Sequence, residues 1–506
     1  MIAHPYIKYA AALVLLDNGL ERIEDIDSSH LSKAIKGALC QFRLKPSSSA
    51  ERKETVSFIY TDEDGSAKDS IYLSPHIITT DMQAAKMKKA AVKYVEDCKK
   101  EEFLCGRDKV GLSEVPLAGE FCTFSKTIGR GAPKVTNLER GLGIISSITP
   151  YKPTISVVTK EGGKIVYNNT CLIPDLDLDD MKDFIVIFNR LLVQSTQNLF
   201  QGTVKREETQ KGIIYKPQRP NIMRGNFPGA PRSAALGAVA LLAAIGELAH
   251  EAEYSNKVEK VLEALKSKPI YIICYGDAKV FSFNHHIVDL SKEGNLRQIV
   301  DSLYYAHLYN QNRRTWDNTE YQKFDLFASR FLQFFNKPSF QDFLAFRAEY
   351  PHQIEILITT YFNKMENISN ETIQSAKSLG SWLNNVAYRA ASSDPDANTP
   401  DRVRDRKSKA LVEFESTVFA AKSATALACQ ILTRAARLSS NDAPAAASLF
   451  IEKLMAGEVE LETAKNMLVA FSRIGPDFTA MHYQSNEPET NEPQEENGEQ
   501  ADFSGI

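Results

Sequence analysis

The stretch Arg402–Leu438, RVRDRKSKALVEFESTVFAAKSATALACQILTRAARL, decides how the chain is read. Leu411, Phe414, Val418, Ala421, Ala428, Ile431, Ala435 and Leu438 recur mostly at three- and four-residue steps, which lays them along one stripe of a helix. The flanks read the same way. Helices are expected over Asn370–Ala391, Arg402–Leu438, Ala443–Ala456 and Glu460–Phe471, with no convincing strand from Met365 to Arg473. Asp442 is the expected N-cap of the third helix, and Pro444 falls in its first turn, where a missing N–H costs nothing. Four such helices make a small bundle. The linker between the first two, SSDPDANTPD, is almost all turn formers.

Toward the N-terminus the pattern changes. Asp81–Lys99 is rich in helix formers, whereas TVSFIYTD, TISVVTKEGGKIVYNN and DFIVIFNRLLV carry β-branched and aromatic residues, the last equally compatible with a helix. Glu161-Gly162-Gly163-Lys164 between two β-rich runs signals a hairpin. Lys211–Arg232 (KGIIYKPQRPNIMRGNFPGAPR) holds four prolines and three glycines and reads as a long loop before an apolar helix from Ser233. PIYIICYG follows as a buried strand, Asn295–Tyr309 as a helix, and the chain from Tyr321 is helical and aromatic. The expected fold class is α+β. Residues 1–232 form a mixed body, 233–364 a mainly helical middle, 365–482 the bundle, and 483–506 a tail low in hydrophobics that should be disordered.

Composition narrows the function. Seven scattered cysteines form no C-x-x-C pair, which argues against a disulfide framework or a thiolate zinc site and fits a reducing cytoplasm. The N-terminal apolar run lacks a basic leader, and Ala234–Ala249 is too short for a membrane span and contains Glu247. The tail from Tyr483 carries seven acids and no base, which turns a net charge of −4 into +3 for the rest of the chain. The body is mildly basic.

No Walker loop, HExxH or GxSxG motif is present, and no cofactor or metal site is expected. His285, His286 and Asp289 could in principle serve a metal-dependent enzyme acting on nucleotides, but a histidine pair satisfied by its neighbours in a strand or turn is the plainer reading. Asp175, Asp177, Asp179 and Asp180 lack the glycine and distal glutamate of a calcium loop and read as a helix-capping acidic segment. The basic segments say more. FSKTIGRGAPKVTN (Phe124–Asn137) offers Lys126, Arg130 and Lys134 with glycines that let a backbone approach phosphate. Lys211–Arg232 interleaves Lys216, Arg219, Arg224 and Arg232 with Asn221, Asn226, Tyr215 and Phe227, the mixture that contacts phosphates and stacks on or reads bases. Arg402, Arg406 and Lys409 share one helix face, with Arg404 and Lys407 alongside and Asp401 and Asp405 partly offsetting them.

PNIMRGNFPGAPRSAALGAVALLAAIGE, FDLFASRFLQFFNKPSFQDFLAF, SLGSWLNNVAYRAA and KALVEFESTVFAAKSATALACQILTRAARL, within residues 210–475, resemble the large subunit of a type I CRISPR Cascade effector of subtype I-B-like form. The resemblance implies a non-catalytic subunit that sits at the crRNA 5′ end, reads the protospacer-adjacent motif of double-stranded target DNA and helps open it. It implies partners: crRNA, other Cascade backbone subunits, and a recruited helicase-nuclease or transposition proteins. It also implies a C-terminal bundle like the separate small subunit that holds the displaced strand. Such a small subunit is expected here as Met365–Ile506, translated from an internal start at Met365. A scaffold binding only protein is the remaining alternative.

Overall fold

The structure is a computed structural model describing residues 4–41, 59–61, 67–69, 81–118, 132–161, 164–195, 203–209, 212–218, 234–293, 295–305, 308–310, 315–317, 330, 332–344, 349–438 and 442–475. The expected tail and the expected helix over 321–329 lie outside the described residues.

The N-terminal apolar run is a core helix. α1 (Pro5–Asn18) starts where the His4 Nδ1 accepts the Tyr6 N–H, with Pro5 in its first turn, and stops at Gly19 in the left-handed region. Tyr6, Tyr9 and Val14 are fully buried. α1 packs on α4 (Asn137–Ile148) and α5 (Leu178–Ser195), while α2 (Ser28–Gln41) and α3 (Asp81–Asp97) also pack against α4. The ambiguous DFIVIFNRLLV run belongs to α5, because Phe184, Ile187, Phe188 and Leu191, at helical steps, are all fully buried. A capping box at Thr136 and Glu139 begins α4.

Two sheets follow. β5 (Thr154–Glu161) and β6 (Lys164–Pro174) form the expected hairpin, with Glu161 opposite Lys164. β9 (Ile270–Cys274) pairs antiparallel with β6, and β10 (Asp277–Phe281) completes the order β10-β9-β6-β5. This sheet therefore draws strands from both sides of residues 232–233. α6 (Ala234–Glu247) lies so close to it that a Cβ on Gly237 would come within 1.9 Å of the Ile155 side chain. The second sheet runs β2-β1-β7-β8, with β1 (Ile59–Thr61), β2 (Ala67–Asp69), β7 (Thr203–Thr209) and β8 (Gly212–Gln218). β8 corrects the expected loop: its first third is a strand, and Pro217 is tolerated because β8 is an edge. Downstream lie α7 (Ser255–Ser267), α8 (His285–Leu290), α9 (Asn295–Tyr305) and a small hairpin, β11 (Leu308–Asn310) with β12 (Thr315–Asp317). The helix expected to reach Tyr309 stops at Tyr305, since Leu308 and Tyr309 enter this hairpin.

From Met365 on, the described residues are all helical, as expected, but they hold five α-helices. α10 (Lys337–Leu344) and α11 (Glu355–Lys364) lead into α12 (Asn370–Ser392), which Ser369 caps. The expected helix 402–438 is two: α13 (Pro400–Ala420) and α14 (Ala424–Leu438). Ala421 is extended, and the Ser423 hydroxyl accepts the Ala426 N–H, so a fresh N-cap breaks the run and folds α14 back on α13. α15 (Ser448–Met455) and α16 (Leu461–Ser472) complete the set, and α12 touches α11 and α13 to α16. Asp442 does not cap α15. Ser375 of α12 does that work from a distance, donating to the Ala446 carbonyl at 2.6 Å and accepting the Phe450 N–H at 2.9 Å. α12 and α16 cross so closely at Gly380 that a Cβ there would sit 2.6 Å from the Phe471 Cβ.

Candidate nucleic-acid interface

Arg402, Arg406 and Lys409 emerge from one side of α13, exposed to solvent. Their neighbours differ. The Arg402 guanidinium donates to the Asp396 carbonyl at 3.1 Å and to Asn398 at 3.3 Å. Arg406 pairs with Asp394 at 3.1 Å and reaches Asp396 at 3.7 Å. The turn-forming linker that precedes α13 thus folds onto both arginines, with carboxylates reaching Arg406 and a backbone carbonyl and an amide reaching Arg402. Lys409 makes no ion pair among the described residues. Lys407, expected beside them, is instead buried, its ammonium 2.6 Å from Glu349 and 6.0 Å from the centre of the Tyr388 ring.

Farther along, α13 and α14 enclose an open groove of about 550 Å³. Thr417, Gln430, Thr433, Arg434 and Arg437 supply its polar lining, and Arg434 pairs with Glu413. Arg434 and Arg437 therefore add cations beside this groove, on a different helix from Arg402, Arg406 and Lys409.

Lys134 stands exposed on β4 (Lys134–Thr136). β4 pairs antiparallel with β3 (Arg107–Lys109), with Lys109 opposite Lys134 and Arg107 opposite Thr136. Sequence reasoning missed Arg107 and Lys109, which lie about 25 residues before Lys134 and flank an aspartate. Lys216 lies in edge strand β8, opposite Lys205 in the backbone register. Lys126, Arg130, Arg219, Asn221, Arg224, Asn226 and Arg232 lie outside the described residues.

At the alternative chemical site, Asp289 is engaged in an ion pair. His285 and His286 open the short helix α8, not a strand or turn, with Asn284 accepting the His286 N–H at 2.9 Å. Their ring centroids are 3.8 Å apart, and burial together with the His285 charge lowers the His286 pKa. Asp289 is held by Lys266 at 2.8 Å. The acidic segment behaves likewise: Lys8, Lys268, Lys182 and Lys260 pair with Asp175, Asp177, Asp179 and Asp180 respectively. Among the described residues, no group of three or more His, Cys, Asp or Glu side chains could hold a metal ion, and no helix is long and apolar enough to cross a membrane.

The described residues thus form a mixed α+β body with a helical C-terminal region, and expose cations on a β-ribbon and along a helix edge. The chain belongs to the family described as CRISPR-associated protein Csp2, whose profile matches residues 4–475. It is a CRISPR-associated, Cascade-type subunit. The match takes in the N-terminal body as well as the region 210–475 that carried the sequence resemblance. No curated protein and no solved structure is matched.

Proposed function

We propose that the chain is the non-catalytic large subunit of an RNA-guided DNA-targeting complex. In this reading it meets the protospacer-adjacent motif in duplex DNA, helps open the duplex and contacts crRNA and the target strand. The α13 edge lies along the displaced strand, and a helicase-nuclease or transposition factor docks on the assembled complex. Membership of the Csp2 family over residues 4–475 carries this reading. The exposed Arg402, Arg406 and Lys409 face supports it physically, because guide pairing reads the sequence and leaves the protein to hold backbone.

The test is binding of the chain, assembled with backbone subunits and crRNA, to duplex DNA bearing a matched target. Replacing Lys216, Arg219 and Arg224 with alanine, or Arg402, Arg406 and Lys409, should lower the log–log salt slope by about 0.9 for each phosphate no longer neutralised. Failure to co-purify crRNA, together with unchanged target binding by both triple variants, would overturn the reading.

A further inference from the structure

β3 and β4 form a short two-stranded ribbon with three cations on its outer face. Arg107 and Lys109 are two residues apart on one strand and so share a face. The register sets Lys134 directly across from Lys109. All three side chains are exposed, and among the described residues none makes an ion pair. Like charges directly opposite in an antiparallel pair work against folding.

The acids of this region are engaged by other groups. Asp108 lies between the two β3 cations, yet its carboxylate accepts from Arg140 at 3.1 Å and from the Lys109 N–H at 2.7 Å. Glu114 takes the rest of the Arg140 guanidinium in a bidentate pair at 2.8 and 2.9 Å. Glu139 closes the capping box at Thr136. A single nearly buried arginine therefore holds two carboxylates, Glu114 mostly buried and Asp108 still 61% exposed, and neither of them pairs with Arg107, Lys109 or Lys134.

The ribbon is also rigidly mounted. Val110 and Val135 are buried, and the Val110 N–H bonds to the Pro133 carbonyl at 3.0 Å. Asn137 ties the other end, its N–H to the Gly106 carbonyl at 2.9 Å and its side chain to the Phe103 carbonyl at 2.8 Å. Three cations fixed within about two ladder steps, roughly 7 Å, form a preorganised site for closely spaced anions.

We infer that Arg107, Lys109 and Lys134 grip consecutive phosphates of a nucleic-acid strand, as a backbone site separate from the α13 edge. This inference rests on the reading that the chain binds nucleic acid. An acidic peptide is the less suitable partner, because its carboxylates lie on flexible side chains, whereas phosphates repeat regularly along a strand. The ribbon would set where a strand lies without reading its sequence.

The test follows binding of the full chain to a labelled single-stranded DNA across salt concentrations. Replacing Arg107, Lys109 and Lys134 together with alanine should lower the slope by about 2, at about 0.7 per phosphate. A slope change of that size over the decade from 1 M to 0.1 M salt means roughly hundredfold weaker binding at 0.1 M. Lys109→Arg with Lys134→Arg should keep the wild-type slope. Lys134→Thr alone should lower the slope by about 0.7 while its Tm stays at or above wild type, which separates weakened binding from impaired folding. A triple variant that keeps the wild-type slope overturns the inference and leaves the wider reading intact. A wild-type chain that binds no oligonucleotide overturns both. Equal affinity for polyglutamate and for the oligonucleotide would make the partner an acidic protein and also overturn it.

Discussion

Glu349→Gln should destabilise the helical region far more than its single hydrogen bond suggests. Lys407 and Glu349 stand 2.6 Å apart, with side chains only 11% and 13% exposed. At an effective dielectric of about 20, that separation corresponds to an attraction of roughly 6 kcal/mol. Moving both ions out of water costs several kcal/mol each, so the intact pair contributes little net stability. Removing only the carboxylate leaves the desolvation of Lys407 without its compensation, a loss of about 3–5 kcal/mol.

The two chain segments concerned are 58 residues apart, so the effect falls on how residues 349–364 are held to α13. A Trp316→Phe background leaves Trp382, in α12, as the reporter of this region. For a unit of roughly this size, 3–5 kcal/mol should appear as a Tm lowered by roughly 6–20 °C. The double variant Lys407→Met with Glu349→Leu should recover most of the loss, since an apolar pair needs no compensation. A Glu349→Gln variant within about 1 kcal/mol of wild type, or a double variant as unstable as the single, refutes the reasoning.

Three further outcomes rest on the same physics of burial and pairing. Burial, reinforced by the Lys8 charge, pushes the His4 pKa down to about 4 from 6.5, so its neutral form contributes stability above pH 6.5 that is lost as the pH falls toward 4. That is about 3 kcal/mol, and His4→Asn, which keeps a capping acceptor, should flatten the difference in Tm between pH 7 and pH 5; an unchanged slope refutes it. Gly380→Ala should lower stability by about 1–2 kcal/mol in denaturant titration, because the clash with Phe471 outweighs the gain in helix propensity. Asp394→Asn with Asp396→Asn should tighten single-stranded DNA binding by freeing Arg406, and wild-type affinity in this variant would show that the linker acids do not compete.

The fold class was legible because strand and helix periods separate over much of the chain, and the Glu161–Lys164 turn was legible because two glycines punctuate two β-branched runs. The break at Ala421 was not. The apolar stripes of α13 and α14 continue at helical steps through it, so periodicity reads straight across, and Ser423 was the one local signal. Asp442 looked like a cap because local chemistry offered one, while the structure takes its cap from Ser375, 75 residues from the N–H it satisfies. The site divides the same way. Arg402, Arg406 and Lys409 share a face by arithmetic alone. Arg107 and Lys109 join Lys134 only through strand register, and Lys407 is buried only because Glu349 reaches it, and neither pairing leaves a trace in local sequence.

The proposed internal start at Met365 meets a physical condition in this packing. Met365 ends α11 and Ser369 caps α12, so a chain beginning there would open on a well-formed helix. It would, however, lack the segment that covers α13 and α16. Phe362 packs on Phe471 at 5.9 Å, Glu349 neutralises Lys407, and the Arg473 guanidinium donates to the Leu344 carbonyl at 2.6 Å and the Tyr350 hydroxyl at 3.1 Å. Each of these partners precedes Met365. A free Met365–Ile506 polypeptide should therefore expose apolar surface and bind a hydrophobic dye, and it should melt about 10 °C or more below a fragment that begins at Leu332. In a complex, a neighbouring subunit would have to supply an apolar face with a carboxylate opposite Lys407. Equal melting temperatures for the two fragments would show that residues 332–364 merely rest on the bundle, and that the polypeptide from Met365 needs no such neighbour.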